Sequence, residues 1–200
     1  MTRRCALIVP TGTANLASVI SALVAAGAEP RLAERPEDLL DAYRVVLPGV
    51  GAMQAAMARL SERGFTEPLK ERLESGRPFL GICLGLQLLA EQSEESPGAR
   101  GLSLLPGKVT RLRAEGVRVP HIGWNHVEPG PDCRLLQAGA AYFAHSFRLE
   151  RAPAGFAAAT AQHGDRFVAA LERGPQLACQ FHPELSGEYG LSLLSRWLRA

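Results

Sequence analysis

Pro78-Phe-Leu-Gly-Ile-Cys-Leu-Gly-Leu-Gln-Leu-Leu-Ala90 decides how this chain is read. It opens as a short apolar run and continues from Leu84 with apolar residues at helical spacing. At the junction, Gly81-Ile-Cys-Leu-Gly85 places a single cysteine between two glycines. The pattern predicts a strand ending in a sharp turn, with Cys83 at the apex and a helix over 84–90 behind it. That is the layout of a nucleophile elbow, with sulfur replacing oxygen. Glycines at 81 and 85 suit a turn that crowds any nearby Cβ. Thiolate is the attacking form of cysteine. A helix start directs free N–H groups and partial positive charge at what precedes it, so the ionised form of Cys83 is favoured. The N–H of Leu84 is placed to hold an oxyanion. The bland alternative is a structural cysteine buried at a strand end.

A base follows far down the chain. Leu177-Ala-Cys-Gln-Phe181 reads as a short strand, and Phe181-His-Pro-Glu184 follows it. Pro183 ends the strand and Glu184 lies just beyond. A carboxylate beside an imidazole fixes its tautomer and stabilises the imidazolium, so the ring can take the thiol proton and return one to a leaving amine. His121, His126, His145 and His163 have no downstream acid in a comparable strand-end setting. Cys83, His182 and Glu184 therefore point to a thiol enzyme with a covalent acyl intermediate.

Composition narrows the class. A chain of 200 residues suits one domain, here 1–200, with a real core. A net charge of +2 gives no argument for nucleic acid, and no stretch reaches the roughly 18 apolar residues of a membrane span. The start, Met1-Thr-Arg-Arg-Cys-Ala-Leu-Ile-Val-Pro10, has too short an apolar run for a signal peptide and is read as a first core strand. Cys5, Cys83, Cys133 and Cys179 are widely spread with no C-x-x-C, so neither a zinc site nor a disulfide framework is suggested. A reactive thiol fits a reducing cytoplasm.

Periodicity predicts a strand at 5–9, a helix over 15–26 stopped by Gly27, short strands at 31–33 and 45–47, and helices over 53–62 and 66–75. The second half reads as strands at 108–113, 141–147, 155–161, 167–172 and 177–181, closed by a helix carrying Leu193, Leu194 and Trp197. Residues 91–98 read as a polar loop. Alternating strands and helices imply an α/β fold, with a doubly wound, mostly parallel or mixed sheet and flanking helices. Sites in such sheets gather at the carboxyl ends of strands. Pro48-Gly-Val-Gly51, Cys83 and His182 all fall at predicted strand ends.

Gly81-Ile-Cys-Leu-Gly-Leu-Gln87 and Phe181-His-Pro-Glu184 resemble the class I (triad) glutamine amidotransferases, whose fold is flavodoxin-like. Leu47-Pro-Gly-Val-Gly51, Val119-Pro-His-Ile-Gly-Trp-Asn125 and Tyr142-Phe-Ala-His-Ser-Phe147 are similar, more narrowly, to the glutaminase subunits of imidazole glycerol phosphate synthases. The resemblance implies hydrolysis of glutamine to glutamate and ammonia. The ammonia passes to a barrel-shaped cyclase partner in histidine biosynthesis, with no cofactor or metal, no nucleic acid and no membrane. It implies Cys83, His182 and Glu184 as the triad, and Val50 with Leu84 as oxyanion donors. Gly51, Gln87, Glu95, Ser146 and Phe147 are implied around the substrate, with Glu95 meeting its ammonium. Asn15, His121, Trp124 and Asn125 are implied toward the partner. Plainer readings stand beside these: a surface acid for Glu95, a helix-face amide for Gln87, an N-cap for Asn15, and a buried tryptophan with a turn asparagine for Trp124-Asn125.

Three departures from the family pattern are visible. Pro10-Thr-Gly-Thr-Ala-Asn15 is less glycine-rich than in many relatives. Leu185 stands where relatives often carry lysine, which touches a partner contact and not the chemistry. Ser146-Phe147 replaces a Thr-Tyr pair, which removes a phenolic contact. The alternatives left open are the amidotransferase subunit of another synthase, a catalytically silent regulatory subunit and a cysteine peptidase.

Overall fold

The computed structural model describes residues 5–12, 14–113 and 115–200. The basic start at 1–4, Thr13 of the first loop and Ala114 lie outside them. In chain order, the first half contains β1 (Cys5–Ile8), α1 (Leu16–Ala25), β2 (Glu29–Leu32), α2 (Asp38–Asp41), β3 (Arg44–Gly49), α3 (Met53–Glu62), α4 (Thr66–Glu74), β4 (Phe79–Cys83) and α5 (Leu84–Gln87). There follow β5 (Ala90–Ser93), β6 (Leu105–Arg111), β7 (His121–Pro129), β8 (Gly139–His145), β9 (Phe147–Leu149), β10 (Ala157–His163), β11 (Asp165–Arg173) and β12 (Gln176–Cys179). A 3-10 turn (Pro183–Leu185) and α6 (Gly187–Trp197) close the chain.

Among the described residues, nine strands form one mixed sheet in the order β2-β1-β3-β4-β12-β11-β10-β7-β8. The pairings from β2 to β12 are parallel, and those from β12 through β11, β10 and β7 to β8 are antiparallel. β1, β3, β4 and β12 are buried at every position, as parallel strands covered on both faces must be. Two apolar clusters fill the two faces: Phe181 and Trp197 belong to one, Phe65 and Phe79 to the other. Arg72, fully buried, satisfies the carbonyls of Leu39, Ala42, Tyr43 and Pro78 and so ties α4 to the entries of β3 and β4. Among the described residues no helix is long and apolar enough to cross a membrane.

Local pattern and structure part company after Cys83. The predicted helix over 84–90 is a single turn, Leu84–Gln87. The backbone beyond it is taken by a later segment: Leu102 N–H donates to Leu88 O at 2.7 Å, Leu104 and Leu105 to Leu89 O, and Gly101 to Glu91 O. Gly101 allows this approach, since a Cβ there would lie 2.2 Å from the Ala90 oxygen. The chain then enters β5, part of a three-stranded sheet β5-β6-β9, where a polar loop was expected. Residues 121–125 of the Val119–Asn125 segment, not read as a strand, begin β7 and pair with β8 in the register His121↔His145 and Trp124↔Tyr142.

Candidate active site

β4 ends at Cys83, whose backbone turns to φ +53° and ψ −102°. A non-glycine residue held there costs about 1–3 kcal/mol. The turn also leaves no space for a side chain at 85, where a Cβ would stand 1.9 Å from the Leu47 oxygen. The helix behind the cysteine is the single turn α5, shorter than the 84–90 that the pattern predicts. Side chains also stand beside the sulfur.

His182 is one of them. Its N–H donates to Tyr142 O at 2.9 Å, and its carbonyl accepts from Ser186 Oγ at 2.6 Å. These bonds fix the ring against β8. Nδ1 lies 2.8 Å from Glu184 Oε1, and both side chains are almost fully buried. Burial pulls the imidazole toward its neutral form. Hydrogen bonds to Cys83 and Glu184, with their negative charges, outweigh that and raise the ring to about 10. A charged imidazolium thus stands beside the sulfur at neutral pH.

Cys83, Leu84, Val50, Gly51, Gln87, Glu95, Ser146 and Phe147 line one cavity of about 280 Å³, together with Pro120, Ile122, Ala144 and His145. Burial raises the Glu95 carboxyl, partly countered by a hydrogen bond from Met53 N–H at the start of α3. A second cavity of about 410 Å³ contains His182, Glu184, Asn15, Tyr142 and Leu185, and shares Val50 and Ala144 with the first. Asn15 is an N-cap, accepting from Ser18 N–H at 3.3 Å while lining this second space.

The four residues expected toward a partner divide. Trp124 is 59% exposed and lies on β7, which excludes the buried-tryptophan reading. Asn125 is in the same strand rather than a turn, and donates to Gln162 O at 2.8 Å. His121 does not face outward. It is 3% exposed, stacked between Phe143 and His163, because odd positions of β7 point into the sheet's packed face. Its Nδ1 lies 3.1 Å from His145 Nε2, and His145 Nδ1 lies 3.0 Å from Phe147 O. Burial lowers His121 to about 4 and His145 to about 3, so both rings are neutral.

Sequence reasoning passed over two polar residues here. His145 had been set aside for want of an acid. Gln180, fully buried, has Nε2 3.7 Å from Cys83 Sγ. Its signal was available: a carboxamide within the apolar run 177–181 that reads as a strand, two positions before His182 and so on the same face in that reading.

The family described as Glutamine amidotransferase class-I matches residues 10–199. An imidazole glycerol phosphate synthase subunit HisH of Synechococcus elongatus is 47% identical, with 92% of this chain and 88% of the relative covered. One from Syntrophotalea carbinolica is 41% identical, covering 96% and 98%. The chloroplastic imidazole glycerol phosphate synthase hisHF of Arabidopsis thaliana is 43% identical over 94% of this chain, which spans only 33% of that longer protein. A crystal structure titled glutamine amidotransferase superposes with a TM-score of 0.72 at 24% identity, covering 94% of this chain and 98% of that one. At that identity the likeness speaks for the fold.

Proposed function

The chain belongs to the class-I glutamine amidotransferase family, and from that premise we propose that it is the glutaminase subunit of an imidazole glycerol phosphate synthase. Residues 1–200 act as one amidotransferase domain in a reducing cytoplasm. The observation that carries the reading is the convergence of Cys83 with the His182–Glu184 pair at the ends of neighbouring strands, over a cavity holding Glu95.

Glutamine enters that cavity, and Glu95 takes its ammonium group. Desolvation makes the carboxylate eager for a cation. Gly51, Gln87, Ser146 and Phe147 surround the rest of the substrate. Cys83 sulfur attacks the side-chain carboxamide, and the N–H groups of Leu84 and Val50 hold the oxyanion. His182 delivers its proton to the leaving nitrogen as the C–N bond breaks, and ammonia departs. Water, deprotonated by the same ring, cleaves the thioester to glutamate.

Ammonia leaves on the His182 side, through the cavity lined by Asn15, Tyr142 and Leu185, toward a cyclase partner. Ile122, Trp124, Val50 and Leu185 support that placement, being 65%, 59%, 40% and 42% exposed. Val50 lines both cavities, Ile122 the first and Leu185 the second, and apolar exposure grouped at a site marks an interaction surface. The subunit and cyclase form a heterodimer that channels ammonia.

The test is Cys83→Ala in complex with the cyclase subunit. Glutamine-dependent synthesis should vanish while synthesis from added ammonium salt persists. Retained glutaminase activity would overturn the mechanism.

A further inference from the structure

Gln180 is placed to donate to the Cys83 sulfur, its Nε2 lying 3.7 Å from Sγ. The nitrogen and oxygen of an amide have nearly the same shape, so which one faces the sulfur must follow from the neighbours. The carbonyl of Phe147 decides it. Gln87 Nε2 lies 2.9 Å from Phe147 O and 3.1 Å from Gln180 Oε1. A carbonyl only accepts, so Gln87 must present its NH2 group there. The other hydrogen of that group requires an acceptor, which is Gln180 Oε1. The NH2 of Gln180 is thereby turned to the sulfur. The opposite rotation would oppose two NH2 groups in a closed space and set an oxygen against a thiolate, both costly when buried. His145 also holds Phe147 O through Nδ1 at 3.0 Å.

We infer that the Gln180 carboxamide is a further catalytic group, donating a hydrogen bond to the Cys83 thiolate in an orientation imposed by Gln87 and the Phe147 carbonyl. The inference rests on the reading of Cys83 as nucleophile. A donor to the charged form of a group favours that form. His182 carries charge but must also move a proton during turnover. Gln180 does not titrate, so its support for the anion is the same before and after that transfer.

The test compares alkylation of Cys83 by iodoacetamide from about pH 5 to about pH 10 in the whole chain and in two variants. Peptide mass spectrometry reads Cys83 apart from Cys5, Cys133 and Cys179. Gln180→Met keeps the volume and removes the donor. Gln180→Glu keeps the shape and the oxygen toward Gln87 but sets a second oxygen against the sulfur. A hydrogen bond to a charged group corresponds to about one pH unit. The Gln180→Met profile should move up by about that much, Gln180→Glu further, and glutamine turnover at pH 7 should fall about tenfold or more. A residue that only fills space would lower thermal stability without moving the profile. A variant with the wild-type circular dichroism spectrum and an unmoved profile overturns the inference. If Gln180→Met does not fold, an unmoved profile in the isosteric Gln180→Glu overturns the inference, and Gln180→Leu replaces Gln180→Met as the donor-free variant. Alkylation needs no glutamine, so a wild-type chain that fails to hydrolyse glutamine defeats the functional reading separately, while the profile still judges Gln180.

Discussion

Gly85 packs against Leu47 so closely that a Cβ at 85 would lie 1.9 Å from the Leu47 carbonyl oxygen. Backbone meets backbone there, so no rotamer can relieve an added methyl. The contact locks the turn after Cys83 onto β3, the strand that leads into Pro48-Gly-Val-Gly51. Gly85→Ala should therefore do two things at once. Stability should drop by about 3 kcal/mol, at the high end of overpacking, and turnover should collapse because the elbow and the Val50 loop move together. Urea unfolding and a glutaminase assay check it. A variant within 1 kcal/mol of wild type, on the order of ordinary surface changes, would refute the steric argument.

Cys83 stores strain at φ +53°. Ordinarily alanine is more stable than glycine, by up to about 1 kcal/mol, because it loses less chain entropy. At position 83 the order should reverse. Cys83→Gly should unfold at higher urea than Cys83→Ala by about 1 kcal/mol, with both inactive on glutamine. The usual order would mean the dihedral carries no strain.

The buried histidines predict a stability optimum. His182 is raised to about 10 by Cys83 and Glu184 against the opposing effect of burial, so its contribution is complete below its ordinary 6.5 and is lost as pH rises toward 10. His121 and His145 are lowered by burial to about 4 and about 3, so their neutral rings favour the fold above 6.5 and oppose it as pH falls toward those values. The urea midpoint should peak near neutrality and decline on both sides. Glu184→Gln should flatten the alkaline limb and leave the acid limb. A wild-type midpoint that has not fallen by about pH 10 contradicts the His182 assignment, because the raised ring loses its charge at about 10.

Glu172 reaches from β11 to a loop, where its carboxylate accepts from the N–H groups of Arg134, Leu135 and Leu136. It is 5% exposed, so these donors have little water to turn to. Glu172→Gln leaves at least one of them facing an NH2 group. The expected loss is about 2–3 kcal/mol with unchanged KM for glutamine, since the loop lies away from both cavities around Cys83 and His182. Chemical denaturation and steady-state kinetics separate the two effects.

Much of the candidate site was legible because its signals are local. Gly81-Ile-Cys-Leu-Gly85 and His182-Pro-Glu184 announce sharp strand ends through glycine, proline and apolar runs, and the alternation of strands with helices implied that those ends share one edge of a sheet. The antiparallel extension was read as strands too, apart from β7. Its Val119–Asn125 segment alternates polar and apolar residues with a proline and a glycine, and nothing within it says which face is covered.

Residue type and short-range spacing were enough to single out a candidate nucleophile, a candidate base and a candidate orienting acid, and to imply the α/β architecture. Tertiary structure alone decided that the elbow helix stops after one turn, that His121 points inward while Trp124 stays exposed, and that the amide of Gln180 faces sulfur. The reason is common to all three. Each outcome is set by hydrogen-bond partners and packing surfaces distant along the chain, residues 101–105 for the helix, Phe143 and His163 for His121, and Phe147 for Gln180. No periodicity within a segment records what will later be laid against it.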